Sequence, residues 1–96
     1  MNLKEHVRII PDFPKPGILF YDISTLLADS KVWHFTVDRM SDLIASNMPD
    51  QLVAIESRGF LIGASVAYKL GLGLTMVRKK NKLPGKTLAY TYNLEY

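Results

Sequence analysis

The chain contains no cysteine among its 96 residues. Disulfide stapling and cysteine-ligated zinc are therefore excluded. No apolar run reaches membrane-spanning length, so no transmembrane helix is predicted. The first ten residues, MNLKEHVRII, carry charges where a secretory leader would have its apolar stretch. Secretion is not indicated, and a cytoplasmic location is the expectation. There is no Walker-type glycine loop and no GxGxxG, and Gly71-Leu72-Gly73 is too short a match to count. Histidine occurs only twice. His34 has no second ligand at a suitable spacing, so no metal centre is predicted. Neither a Ser/His/Asp set nor a pair of carboxylates can be assembled from the spacing.

What remains is an ordinary globular composition. Hydrophobic residues make up 48%, charged residues 22% and aromatics 10%. General disorder is excluded, and the length rules out two independent cores. The net charge of +3 is unevenly spread. Arg78, Lys79, Lys80, Lys82 and Lys86 fall within nine positions, and outside them 7 basic residues face 9 acidic ones. A basic cluster on a slightly acidic body reads as a local anion site or as a solvated lysine-rich loop. With tyrosines nearby, a third reading is a small binding module for single-stranded nucleic acid or phosphorylated ligands.

The pattern predicts the following elements. Residues 3–9 form a short helix capped by Asn2, with Glu5 placed as in a capping box. Residues 11–17, PDFPKPG, form a stiff extended loop. Ile18 to Ile23 is a strand or a packed loop. A helix capped by Asp29 or Ser30 runs to about Asn47, with Trp33, Val37, Met40 and Ile44 as one apolar core stripe. Leu52 to Ile55 is continuously apolar, which suits a strand buried on both faces of a parallel sheet. A helix from about Phe60 to Leu70 stops at Gly71. Its small residues Gly63, Ala64, Ser65 and Ala67 let it lie close against a sheet. Leu72 to Val77 is a further strand, and Thr87 to Tyr96 is a strand or an extended arm.

Strand, helix, strand over 51–78 is a βαβ unit, so both strands end on one edge of the sheet. Ligands of open α/β sheets bind at that edge. It carries Arg58 and Arg78-Lys79. Gly59 is expected to permit a tight turn, and the following helix contributes the positive end of its dipole. Together these make a phosphate or pyrophosphate site. The alternative for Arg58 is an ion pair with Glu56 or another carboxylate. Glu56 either orients Arg58 or accepts a ligand hydrogen bond. Phe20, after the rigid Pro14-Lys15-Pro16-Gly17, is the candidate for stacking on a flat heterocycle, with core burial as the alternative.

Phe13-Pro14-Lys15-Pro16-Gly17-Ile18-Leu19-Phe20, followed by Asp22-Ile23, resembles the N-terminal segment of the adenine phosphoribosyltransferase family. Glu56-Ser57-Arg58-Gly59-Phe60 is similar to that family's pyrophosphate-loop motif. Val77-Arg78-Lys79, Lys82-Leu83-Pro84-Gly85 and Leu94-Glu95-Tyr96 resemble its next strand and mobile loop. The matches are collinear from about residue 8 to 96. They imply a partial phosphoribosyltransferase-type α/β fold and a single incomplete domain over 1–96. The implied reaction joins adenine and phosphoribosyl pyrophosphate into AMP and pyrophosphate, a purine salvage step performed by homodimers. Magnesium would be held through the sugar diphosphate.

By position, the resemblance places Leu19 and Phe20 in the hood over adenine, with Phe20 stacked on the base and Leu19 offering backbone groups to its edge. It places Arg58 in the pyrophosphate loop as a catalytic and binding residue. Arg78, Lys79 and Lys82 would contact pyrophosphate. Glu95 and Tyr96 would lie in the closing loop, with Glu95 handling the purine proton. Tyr21 stands where many relatives have arginine. The family's acidic, Thr/Gly-rich ribose 5-phosphate motif has no counterpart among the 96 residues. The chain is thus expected to correspond to the N-terminal half, with little transferase activity of its own and no role in membrane or nucleic-acid binding.

Overall fold

The computed structural model describes residues 1–91. They fall into two compact units, Met1–Thr36 and residues 37–91, with the division inside a helix.

The first unit opens with a single 3-10 turn, Leu3–His6, whose Lys4 amide donates to Asn2 Oδ1 at 3.1 Å. The predicted helix over 3–9 is cut short because the chain is taken into a hairpin. β1 (Arg8–Pro11) pairs antiparallel with β2 (Leu19–Asp22), in the register Arg8↔Asp22 to Pro11↔Leu19. The PDFPKPG segment is therefore not an extended loop. Pro11 ends β1, and residues 12–18 close a turn. Asp12 Oδ1 accepts from the Gly17 amide at 2.8 Å, and the Phe13 amide donates to the Ile18 carbonyl at 3.2 Å. Ile18 to Ile23 resolves as a strand rather than a packed loop.

The first cross-strand pair is also an ion pair. The Arg8 guanidinium donates to Asp22 Oδ2, while Asp22 accepts from the Ser24 amide at 2.9 Å and from its hydroxyl at 3.0 Å. The Ser24 amide first, then Arg8, holds the Asp22 carboxyl down to about 2. Ser24 opens α1 (Ser24–Ala28), a five-residue helix with no apolar periodicity to announce it.

α2 (Ser30–Ala45) follows, two residues shorter than predicted. Asp29 is its cap: Oδ1 accepts from the Lys31 amide at 3.0 Å and from Val32 at 3.2 Å. The expected single stripe does not hold. Trp33, Val37 and Ile44 are half-buried, but Met40 is exposed. The buried positions are Val32 and Ser41. At about 3.6 residues per turn these two lie on opposite faces of the helix. The buried face therefore changes along α2, which a one-face periodicity cannot represent.

The second unit is built on two parallel strands. β3 (Gln51–Ile55) pairs with β4 (Gly73–Val77) from Gln51↔Gly73 to Ile55↔Val77. α3 (Arg58–Leu70) crosses between them, as predicted, but begins two residues earlier. Its packing face is Gly63, Val66 and Ala67. Val66 and Ala67 are buried, and a Cβ placed on Gly63 would lie 2.8 Å from Ala54 Cβ and 3.4 Å from Leu74 Cδ1. The small residue is what lets the helix approach the sheet. Gly71 ends α3 in the left-handed region at φ 71°. The Leu72 amide donates to the Ala67 carbonyl, and Gly71 donates to Tyr68, so two of the last-turn carbonyls are satisfied.

Burial of β3 on both faces is not observed. Leu52 and Ala54 face α3, but Val53 is 65% exposed and Ile55 55% exposed on the opposite side. α3 covers the face that carries Leu52 and Ala54, and the exposed Val53 and Ile55 lie on the other. After β4 the chain turns through Asn81 at φ 67°. Residues 87–91 have no regular secondary structure. The rest of the arm predicted over Thr87 to Tyr96 lies outside the described residues.

Candidate anion-binding site

The carboxyl ends of β3 and β4 lie side by side because the strands are parallel and in register through Ile55↔Val77. The Glu56 amide extends the ladder one step further by donating to the Val77 carbonyl at 2.8 Å. The next residues on each strand therefore meet at one rim. Their contact is charge-assisted. Glu56 Oε1 accepts from the Lys79 amide at 2.8 Å and from Arg78 Nε at 3.2 Å. The Lys79 amide, more than Arg78, holds the Glu56 carboxyl below its usual range, against the opposing effect of its partial desolvation.

The guanidinium of Arg78 also sits 6.0 Å from the centroid of the Phe60 ring. Phe60 lies in the first turn of α3, and its amide donates to the Ser57 carbonyl at 3.1 Å. Arg78 is thus gripped by a carboxylate at the end of one strand and by a ring at the start of the helix. Arg58 is the first residue of α3 and is exposed. It shares the rim with Arg78 and Lys79 through the topology. Gly59 lies within the helix without a positive φ, and nothing lies within 4 Å of an added Cβ. The turn does not require glycine there.

The sequence reading placed Arg58, Arg78 and Lys79 at this edge, and the strand ends bring them to it. For Glu56 the expectation is an orienting role toward Arg58 or a ligand hydrogen bond. The structure adds contacts to Arg78 and Lys79, 22 and 23 residues along the chain. The signal was available in the parallel register, which sets residues after β3 beside residues after β4. Lys82 lies beyond, in a turn where its amide donates to the Lys79 carbonyl at 3.2 Å, and its side chain is exposed.

The first unit carries the aromatic candidates. Leu19 and Phe20 are in β2, with Leu19 exposed and Phe20 half-buried. Phe20 meets Phe13 edge-on, with ring centroids 5.0 Å apart and an interplanar angle of 67°. The Phe13 contact went unforeseen because it spans the proline turn. Glu95 and Tyr96 lie outside the described residues. Among the described residues there is no group of three or more His, Asp or Glu side chains able to hold a metal ion. The rim is cationic, and its one carboxylate is already engaged. Protein ligation of magnesium does not fit these residues, whereas a metal carried on a ligand's own phosphate oxygens is compatible with them.

No protein-family model matches the chain. Similar proteins are plentiful among characterised sequences. The adenine phosphoribosyltransferase of Rhodospirillum rubrum is 64% identical over all 96 residues, and that of Gluconacetobacter diazotrophicus is 57% identical. The chain spans 56% and 54% of their respective lengths. Among solved structures, adenine phosphoribosyltransferase from Thermoanaerobacter pseudethanolicus superposes with a TM-score of 0.90 at 44% identity, covering 94% of this chain and 54% of that one. The Giardia lamblia enzyme in complex with 9-deazaadenine gives a TM-score of 0.92 at 34% identity, covering 100% of this chain and 55% of that one.

Proposed function

We propose that this chain, which is homologous along its whole length to adenine phosphoribosyltransferases, supplies the pyrophosphate-holding rim and the adenine hood of that reaction. In the reaction, the bond between the sugar C1 and pyrophosphate breaks, and a purine nitrogen takes its place, giving AMP. Charge builds on the departing diphosphate as an oxocarbenium-like sugar forms. Arg58, Arg78, Lys79 and Lys82 are the groups that stabilise that charge. Support comes from the convergence of the two strand ends, where Glu56 holds Arg78 and the Lys79 backbone together. That convergence is the observation carrying the reading.

Phe20 stacks on the base and Leu19 turns backbone groups toward its edge. The complexes of the Giardia lamblia and Saccharomyces cerevisiae proteins with 9-deazaadenine and adenine support a purine as the acceptor. Glu95 and Tyr96 belong to a segment that closes over the reactants and excludes water, with Glu95 taking the purine proton. Magnesium would be held through the oxygens of phosphoribosyl pyrophosphate and would offset charge on the leaving diphosphate. The working assembly is a cytoplasmic homodimer acting in purine salvage.

The test is calorimetric titration of the chain with pyrophosphate. Truncating Arg58 to alanine removes charge-assisted hydrogen bonds of about 1.5–3 kcal/mol. Binding should weaken about tenfold to a hundredfold. Unaltered affinity in Arg58→Ala would remove the assignment.

A further inference from the structure

The geometry points to Glu56 as a positioning residue that fixes Arg78 and the Lys79 backbone at the anion rim. This rests on the diphosphate reading above and adds a residue that itself touches no ligand. Three bonds tie Glu56 to the chain leaving β4. Its amide donates to the Val77 carbonyl, and its Oε1 accepts from both Arg78 Nε and the Lys79 amide. The two side chains are among the more protected at the rim, 14% exposed for Glu56 and 33% for Arg78.

The need for such a tie follows from the charge pattern. Arg78, Lys79, Lys80 and Lys82 leave the sheet within five positions and repel one another. A lysine-rich exit of this kind would splay into solvent unless anchored at its root. Glu56 anchors it at the first two residues, and the Phe60 ring supports the Arg78 guanidinium from the helix side. A carboxylate beside an anion site would ordinarily oppose binding. Here one oxygen is occupied by two donors, one of them cationic, so its charge is offset locally. What the arrangement requires of residue 56 is an acceptor oxygen at the right reach, not a negative charge.

Reach and charge separate cleanly in two variants. Glu56→Gln keeps the side-chain length and an acceptor oxygen but loses the charge. Glu56→Asp keeps the charge and falls short by one methylene. With pyrophosphate as the calorimetric probe, Glu56→Gln should bind within threefold of the unaltered chain. Glu56→Asp should bind about tenfold more weakly. In an Arg78→Ala background, Glu56→Asp should cost no more than a further threefold, because much of its effect acts through Arg78. An effect on general stability alone would be the same in both backgrounds. Normal binding by Glu56→Asp with weakened Glu56→Gln would overturn the proposal, as would equal losses in both backgrounds. Failure of the diphosphate reading looks different: the unaltered chain, or Arg78→Ala as well as the unaltered chain, would show no specific affinity to lose. Hydrogen exchange at the Lys79 amide then reports the anchor by itself. It should be protected in the unaltered chain and in Glu56→Gln, and fast in Glu56→Asp.

Discussion

In the second unit Gly63 on α3 lies close against Ala54 on β3, and the approach makes a quantitative prediction. Replacing a helical glycine by alanine ordinarily stabilises by up to about 1 kcal/mol, because less backbone freedom is lost on folding. At Gly63 the new Cβ would stand 2.8 Å from Ala54 Cβ. That neighbour is a methyl fixed to a strand backbone and cannot rotate away, so helix and sheet must separate. Overpacking of this kind costs about 1–3 kcal/mol. Gly63→Ala should therefore be neutral to destabilising by about 2 kcal/mol. Gly59→Ala supplies the internal control, since the same helix offers open space there. It should leave stability unchanged or raise it by up to about 1 kcal/mol. Urea unfolding followed by far-ultraviolet circular dichroism measures both. With m near 1–3 kcal/mol/M, the two midpoints should differ by about 1 M. Ala54→Gly combined with Gly63→Ala should recover part of the loss, giving a favourable coupling in the double-mutant cycle. If Gly63→Ala stabilises as much as Gly59→Ala, the close contact between α3 and β3 is wrong.

Three further predictions follow from single features. Gly71→Ala should cost about 1–2 kcal/mol, since alanine is disfavoured at φ 71°, and thermal unfolding will show it as a lowered midpoint. The Asp22 carboxyl is depressed to about 2, so its stabilising effect is fully present above the ordinary carboxylate range and is lost as pH falls through about 2. Asp22→Asn should remove that part of the acid sensitivity, measurable by circular dichroism between pH 5 and 2. Val53→Thr with Ile55→Thr places polar atoms on the uncovered sheet face. Light scattering over a concentration series should then show less self-association, with the unfolding midpoint nearly unchanged.

The βαβ unit was legible because each of its parts carries a local signal. Leu52 to Ile55 is a short apolar run, Gly71 marks the helix end, and the small residues of α3 announce close packing. The hairpin was less legible. Prolines at 11, 14 and 16 read as breakers, yet Pro11 sits at a strand end, and Asp12 closes the turn from its side chain. The α2 stripe failed at Met40 because different faces are buried in its two halves. The anion rim was legible as a set of basic residues on one edge, since the topology alone brings them there. Its internal wiring was not. Local spacing shows Glu56 only its neighbour Arg58, whereas the parallel ladder also brings it to Arg78 and Lys79. The Arg8–Asp22 pair escaped notice for the same reason, since it exists only once the hairpin register is known.

The most direct test of the rim is to map pyrophosphate onto it residue by residue. In a nitrogen-15 amide titration at two salt concentrations, shifts should saturate at Arg58, Gly59 and Phe60 and at Arg78 and Lys79. They should persist at the higher salt and, in Arg58→Ala, need about tenfold to a hundredfold more pyrophosphate to saturate. Shifts confined to Lys80, Lys82 and Lys86, steeply weakened by salt, would contradict the account and leave the basic segment as a diffuse, solvated anion surface.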